Sequence, residues 1–173
     1  MKQRFLCTLI AFMILSAGYA QTEKRDWLVG GSVSINTTEN NSSFSFMPMG
    51  GYFFLKGFAA GAEVELTTSK TGVVRATRFG LGPFARYYFE LKEPEFKPFV
   101  HAGFKVESER SKVMGVAERE TAVNYLIGLG GAYFLNDNVA IDGLAGYNYS
   151  KVENHEGNGG FHFRIGFQVH LVR

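Results

Sequence analysis

From residue 27 onward, apolar and other side chains take turns with a period of two, the mark of strands whose two faces meet different surroundings. The closing segment is the cleanest. Phe161, Phe163, Ile165, Phe167, Val169 and Leu171 share one face, and His162, Arg164, Gly166, Gln168 and His170 the other. In 58–66, Phe58, Ala60, Ala62, Val64 and Leu66 oppose Ala59, Gly61, Glu63 and Glu65. In 77–89, Phe79, Leu81, Pro83, Ala85, Tyr87 and Phe89 oppose Arg78, Gly80, Gly82, Phe84, Arg86 and Tyr88. In 98–107, Pro98, Val100, Ala102, Phe104 and Val106 oppose Phe99, His101, Gly103, Lys105 and Glu107. Segments 27–35, 44–54, 124–135 and 139–149 repeat the pattern less cleanly, which predicts eight strands of about ten residues each.

The predicted connections alternate in character. Residues 55–57, 90–95 and 136–138 are tight, whereas 37–43, 68–74, 110–118 and 151–160 are longer or more polar. An up-and-down sheet would gather the tight set at one end and the long set at the other. Tyr52-Phe53, Tyr87-Tyr88-Phe89 and Tyr133-Phe134 each close a strand just before a tight turn. These aromatic pairs predict part of an interfacial girdle at that end.

Alternation alone does not say which face looks outward. The apolar set amounts to about forty side chains, five per strand, more than the interior of an eight-stranded barrel holds. The smaller, Gly-rich polar set fits that interior better. Strands of about ten tilted residues match the ~9–11 that cross a bilayer, and closure leaves no backbone group unpaired in lipid. The expected fold is all-β: an eight-stranded antiparallel up-and-down transmembrane β-barrel with its apolar face outward. A soluble lipocalin-like carrier, apolar face inward, is the rival arrangement.

The beginning of the chain agrees. Lys2 and Arg4 precede an apolar stretch at 5–15, and Gly18-Tyr19-Ala20 supplies small residues for cleavage. Residues 1–20 are expected to be a signal peptide, removed so that a barrel domain of 21–173 starts at Gln21. The one cysteine, Cys7, lies in that leader, so the mature chain can form neither disulfides nor Cys-based zinc sites. Of 18 Lys and Arg, two sit in the leader, and the remaining 16 balance 16 Asp and Glu. A neutral mature chain has no electrostatic footprint for nucleic acid. No spanning helix is expected, because the longest uncharged stretches, 40–55 and 121–136, have 16 residues each and are broken by Gly, Asn and Ser.

Met47-Pro48-Met49-Gly50-Gly51-Tyr52-Phe53, the run from Gly80-Leu81-Gly82-Pro83 to Arg86-Tyr87-Tyr88-Phe89, and Lys97-Pro98-Phe99-Val100 resemble the small Gram-negative outer-membrane β-barrels of the OmpA/OmpX/OmpW type. The resemblance covers essentially the whole mature chain and implies a place in the outer membrane, with termini and tight turns toward the periplasm and long loops outside. It also implies outer-membrane lipid and the barrel assembly machinery as partners. Such barrels usually end on an aromatic residue, whereas this chain ends Leu171-Val172-Arg173; Phe163 and Phe167 keep the aromatic pattern upstream.

No catalytic, cofactor-binding or metal site is expected. His155-Glu156 opens a zinc-protease pattern, but the position four after His155 is Gly159. Gly128-Leu129-Gly130 opens a dinucleotide fingerprint that Tyr133 breaks, so these are strand glycines. The chemistry lies in charges on the face assigned to the lumen: Glu63, Glu65, Arg78, Arg86, His101, Lys105, Glu107, Glu109, Asp142 and Arg164. One reading is a structural plug of paired ions, because an unpaired buried ion costs several kcal/mol. The other is a narrow water-filled conduit. If the hairpin at 90–95 centres on 92–94, positions summing to about 187 face each other, which sets Arg86 across from His101 and Arg78 across from Glu109. In that register Glu63 and Glu65 lie near the level of Arg78. Phe161, Phe163, Ile165, Phe167 and Val169 are expected to face lipid.

Three functions stay open on the residues alone. The first is a non-enzymatic monomeric barrel that presents loops 37–43, 68–74, 110–118 and 151–160 to surface partners. The others are a small-solute channel and a lipid-modifying enzyme.

Overall fold

The computed structural model describes residues 22, 25–37, 41–72, 74–92, 95–113, 116–152 and 157–171; the segment 1–20, expected to be a leader, lies outside them. Eight strands follow in order: β1 (Trp27–Thr37), β2 (Asn41–Leu55), β3 (Phe58–Thr71), β4 (Val74–Tyr88), β5 (Phe96–Val113), β6 (Val116–Phe134), β7 (Val139–Val152) and β8 (Asn158–Leu171). Each pairs antiparallel with the next, and β1 closes on β8 from Trp27↔Leu171 to Ser32↔Gly166. Among the described residues no helix is long and apolar enough to cross a membrane. This seam is six pairs long, shorter than the other ladders, so 33–37 of β1 and 158–165 of β8 extend past it toward the long hairpins.

Alternation carries through into burial. On β4 the side chains from Phe79 to Tyr88 switch strictly between exposed or half-exposed at odd positions and inward at even ones. Phe161, Phe163, Ile165 and Phe167 are exposed on the outer wall, and Val169, on the same face, is half-buried. Trp27, Tyr52 and Phe54 stack edge-to-face at 5.3 and 5.2 Å near the tight-turn end, and Tyr87 meets Phe89 in the same way at 5.0 Å. The aromatic pairs before the tight turns are nonetheless split. Tyr52, Tyr87 and Tyr133 lie on the outer face, whereas Phe53, Tyr88 and Phe134 are buried inside. Consecutive strand residues point to opposite faces, so each pair gives one ring to the girdle and one to the lumen.

The expected long connections are mostly strand. Residues 41–43, 68–71, 110–113, 116–118, 151–152 and 158–160 all belong to ladders, and the strands run from 11 to 19 residues rather than about ten. Where both faces meet water the apolar alternation disappears, but backbone pairing persists. Lys70↔Arg75 and Arg110↔Arg119 are such pairs of polar residues. What remains of loops 37–43, 68–74, 110–118 and 151–160 is four hairpin tips, whose residues 38–40, 73, 114–115 and 153–156 lie outside the described residues.

At the opposite end Lys56-Gly57 forms a two-residue turn, with Gly57 at φ 75°, a conformation glycine adopts without penalty. Inside, the Phe99 ring lies over Gly130 on the facing position of β6, where a Cβ would strike the ring. Small-beside-large pairing of this kind lets bulky rings share a narrow interior.

Candidate functional site

The lumen is layered. Its half toward the tight turns holds apolar and aromatic groups, contrary to a lumen filled only by the small polar set. Leu28, Phe53, Phe84, Tyr88, Phe99, Phe134 and Leu144 are buried there. His170 packs among Phe53, Phe134 and Tyr88, with ring centroids at 5.5, 5.1 and 6.0 Å. Thr22, ahead of β1, packs at the floor. Buried Thr22 accepts from Gly57 N at 3.0 Å, and its hydroxyl accepts from Lys97 Nζ at 2.8 Å. Lys97 stands over the Phe134 ring at 5.6 Å. The apolar half is possible because β2, β4 and β5 each turn an aromatic residue inward here, and facing glycines leave it space.

Above the rings lies a layer centred on Arg86, which is 1% exposed. Its Nη1 donates to Asp142 Oδ2 and to Tyr88 Oη, both at 3.1 Å. Its Nε meets His101 Nδ1 at 3.4 Å, and its guanidinium sits 4.1 Å from the Phe99 centroid. Tyr88 Oη in turn donates to Gln168 Oε1 at 2.5 Å. Strands β4, β5, β7 and β8 therefore meet across the barrel at one buried cation. Such a charge is tolerated only when fully paired.

The next layer is a network of carboxylates and cations. Arg164 Nη1 and Nη2 both donate to Glu63 Oε2 at 3.3 Å. Lys105 Nζ pairs closely with Glu65 and lies 3.8 Å from Glu63 Oε1 and 3.9 Å from Glu107 Oε1. Arg78 donates to Glu109 Oε2 at 2.6 Å through Nη2 and lies 3.5 Å from Glu107 through Nε. The register between β4 and β5 sums to 187, with Arg86↔His101 and Arg78↔Glu109. Glu63 and Glu65, however, do not gather on Arg78. The first pairs with Arg164 across the lumen, and the second with Lys105 two strands away. Side-chain reach across a closed barrel decided this, and strand adjacency did not.

All ten charged positions singled out in the sequence are thus placed. Glu63, Arg86, His101, Lys105, Glu107, Asp142 and Arg164 are buried, while Glu65, Arg78 and Glu109 are nearer water. The site also draws on Tyr88, Phe99, Gln168 and Met49, which carry no formal charge. Their inward phase was the only sign of them in the sequence. Beyond the ions the barrel opens into a cavity of about 560 Å³ walled by Ser45, Thr67, Lys105, Asn124, Asn148 and His162, among others. Among the described residues no group of three or more His, Cys, Asp or Glu could hold a metal ion.

Comparison with known proteins places this geometry. The sequence profile described as the outer membrane protein beta-barrel domain matches residues 5–172. None of the curated proteins matches by sequence. Among solved structures, the Neisserial surface protein A is 21% identical with a TM-score of 0.56, over 83% of this chain and 92% of its own. The N-terminal β-barrel domain of Pseudomonas aeruginosa OprF is 16% identical with a TM-score of 0.56, over 86% and 98%. Ail, the attachment invasion locus protein of Yersinia pestis, is 15% identical with a TM-score of 0.52, over 88% and 100%. At these identities the likeness is one of fold.

Proposed function

The chain belongs to the outer membrane protein beta-barrel domain family, an integral barrel of the outer membrane, and from that premise we propose that it is a non-enzymatic barrel closed to solutes. Its leader is removed on export, and its four long hairpins face outward for contacts at the envelope surface. The buried Arg86 layer carries this reading. A guanidinium bonded to Asp142, Tyr88 and His101, and stacked on Phe99, stands across the lumen and supports a plug at this level. Opening a path would strand that cation, at several kcal/mol. The carboxylates and cations of the lumen pair with one another, Arg86 with Asp142, Arg164 with Glu63, Lys105 with Glu65 and Arg78 with Glu109.

The experiment is conductance in planar bilayers. The purified barrel should give no stepwise currents, and Arg86→Ala combined with Phe99→Ala should produce them. The 560 Å³ polar cavity favours a second reading, a narrow channel entered from the hairpin end. Stepwise currents from the unaltered protein would establish that channel and remove the plug. Turnover of phospholipid or lipid A that is lost on changing one histidine would establish a lipid-modifying enzyme instead.

A further inference from the structure

Acids and bases are sorted between the two faces of the barrel at its hairpin end. On β3 to β6, Glu65, Glu107, Glu109 and Glu120 fall on the inward phase and line the inner cavities. On the outward phase of β3 to β7 stand Lys70, Arg75, Arg110, Arg119 and Lys151, all exposed. Among the described residues, the outward positions of these strands past the apolar belt hold no carboxylate, and no ion pair joins any of the five. At the corresponding outward places on β2 and β8 stand Ser42 and Gly159, so the cations cover one side only.

The register makes this arrangement costly when left alone. Lys70 faces Arg75 directly, and Arg110 faces Arg119 directly. Like charges directly across an antiparallel pair are destabilising. Two such pairs on adjacent ribbons leave a repulsion that an anion would relieve. Between them runs a groove of about 590 Å³ on the outer wall, lined by Arg75, Thr77, Phe79, Ser108, Arg110 and Arg119. Its floor is an apolar ring, its sides carry two hydroxyls, and its upper rim carries three guanidinium groups.

Height along the barrel points to the kind of anion. Phe79 lies four residues below Arg75, and Val106 four below Arg110. Tyr125 and Tyr149 face each other lower on β6 and β7. Tyrosine marks the membrane interface. Four residues at ~3.3 Å each, shortened by tilt, put the Arg Cα atoms about 10 Å past the apolar edge. Arginine side chains that reach back toward the belt bring their guanidinium groups to headgroup level. Guanidinium matches phosphate through paired N–H donors.

We propose that this outward face is a collar that binds the phosphate groups of lipid headgroups, centred on Arg75, Arg110 and Arg119, with the acyl chains against Phe79 and Val106. The occupant is a phosphorylated lipid of the leaflet around the hairpin end. This assignment rests on the reading of the chain as a membrane-spanning barrel with that end outward.

The full mature barrel in detergent, titrated with diphosphoryl lipid A and followed by native mass spectrometry, tests it. Lipid A should bind more tightly than phosphatidylcholine, and lipid A stripped of phosphate should lose that advantage. Arg75→Gln, Arg110→Gln and Arg119→Gln together should weaken lipid A binding about tenfold or more, since each basic side chain near an anionic surface contributes substantially. Lys56→Gln, at the tight-turn end beside Glu90, should change nothing. If the triple variant does not fold, Arg110→Gln alone should weaken binding about threefold. Equal affinity for lipid A and phosphatidylcholine, or an unchanged affinity in the folded triple variant, overturns the collar. Displacement of lipid A by inorganic phosphate at equal phosphoryl concentration overturns it in favour of a free-anion site. Each of these failures leaves the protein in the membrane pellet after alkaline carbonate, whereas its release would overturn the barrel reading itself.

Discussion

Arg164 on β8 reaches Glu63 on β3 across the lumen, both terminal nitrogens 3.3 Å from the same carboxylate oxygen, although 101 positions separate the two residues. Neither strand touches the other in the sheet. The pair ties together two walls three strands apart, and both partners are nearly excluded from water.

Removing one member should therefore cost more than removing both. Arg164→Ala strands a buried carboxylate and should destabilise the barrel by about 3–5 kcal/mol, whereas Arg164→Met with Glu63→Gln should recover much of that loss. Urea unfolding in lipid vesicles measures both, and a double variant no better than the single one would sink the pairing.

Lys105, rather than Arg78, is the hub of the ion network. Its side chain is 9% exposed, with three carboxylates within 4 Å, while that of Arg78 is 42% exposed. Lys105→Met should cost about 3 kcal/mol or more. Arg78→Ala should cost roughly 1 kcal/mol, as for other wet ion pairs. The reverse ranking in the same unfolding assay would place the hub at Arg78.

The outer wall of β8 offers a depth series. Ile165 stands midway along the apolar face of the strand, and Phe161 is near its upper end. Ile165→Arg should cost roughly 2–4 kcal/mol and Phe161→Arg about 0–1 kcal/mol, because lipid penalises charge most at the midplane. Equal costs would mean that this wall does not cross the hydrocarbon.

Without anionic lipid, the facing pair Arg110 and Arg119 is a liability. In neutral detergent Arg119→Gln should stabilise the barrel by about 0.2–1 kcal/mol, and added lipid A should reverse the sign. Heat-modified gel migration across a temperature ramp reads both effects, and a destabilised variant in neutral detergent would show that the repulsion is absent.

Tyr88 accepts from Arg86 and donates to Gln168, so its hydroxyl links the cation to β8. Tyr88→Phe removes the shorter of two contacts to Gln168 Oε1, the other being His170 Nε2 at 3.3 Å, and should cost about 1 kcal/mol. A cost near zero in the unfolding assay would show that the linkage adds nothing.

Strand number, facing and the β4–β5 register were legible because each depends on a few neighbouring residues. Period-two alternation is visible within one strand, and a tight hairpin sets its own register, so Arg86 opposite His101 follows from counting outward from 92–94. The ends of the strands were not legible. Polar residues such as Lys70 and Arg75 pair as readily as apolar ones once both faces are wet, and hydropathy carries no trace of it. The split of each aromatic pair was implicit in the pleat, yet whether the inward ring would be tolerated depended on facing glycines such as Gly130 beside Phe99.

Local pattern therefore determined an eight-stranded barrel, which face of each strand looks outward, and that the inward face carries charge. Only the closed tertiary structure decided which charges meet. Closure leaves β3 three strands from β8, and the curvature of the ring turns β4 toward β7 across the lumen, so Glu63 meets Arg164 and Arg86 meets Asp142. The ladders from β3 to β7 set the outward cations of five consecutive strands side by side. Strand pairing acts between neighbours in the ladder, but contacts across a lumen depend on the curvature and stagger of the whole ring, which no single strand encodes.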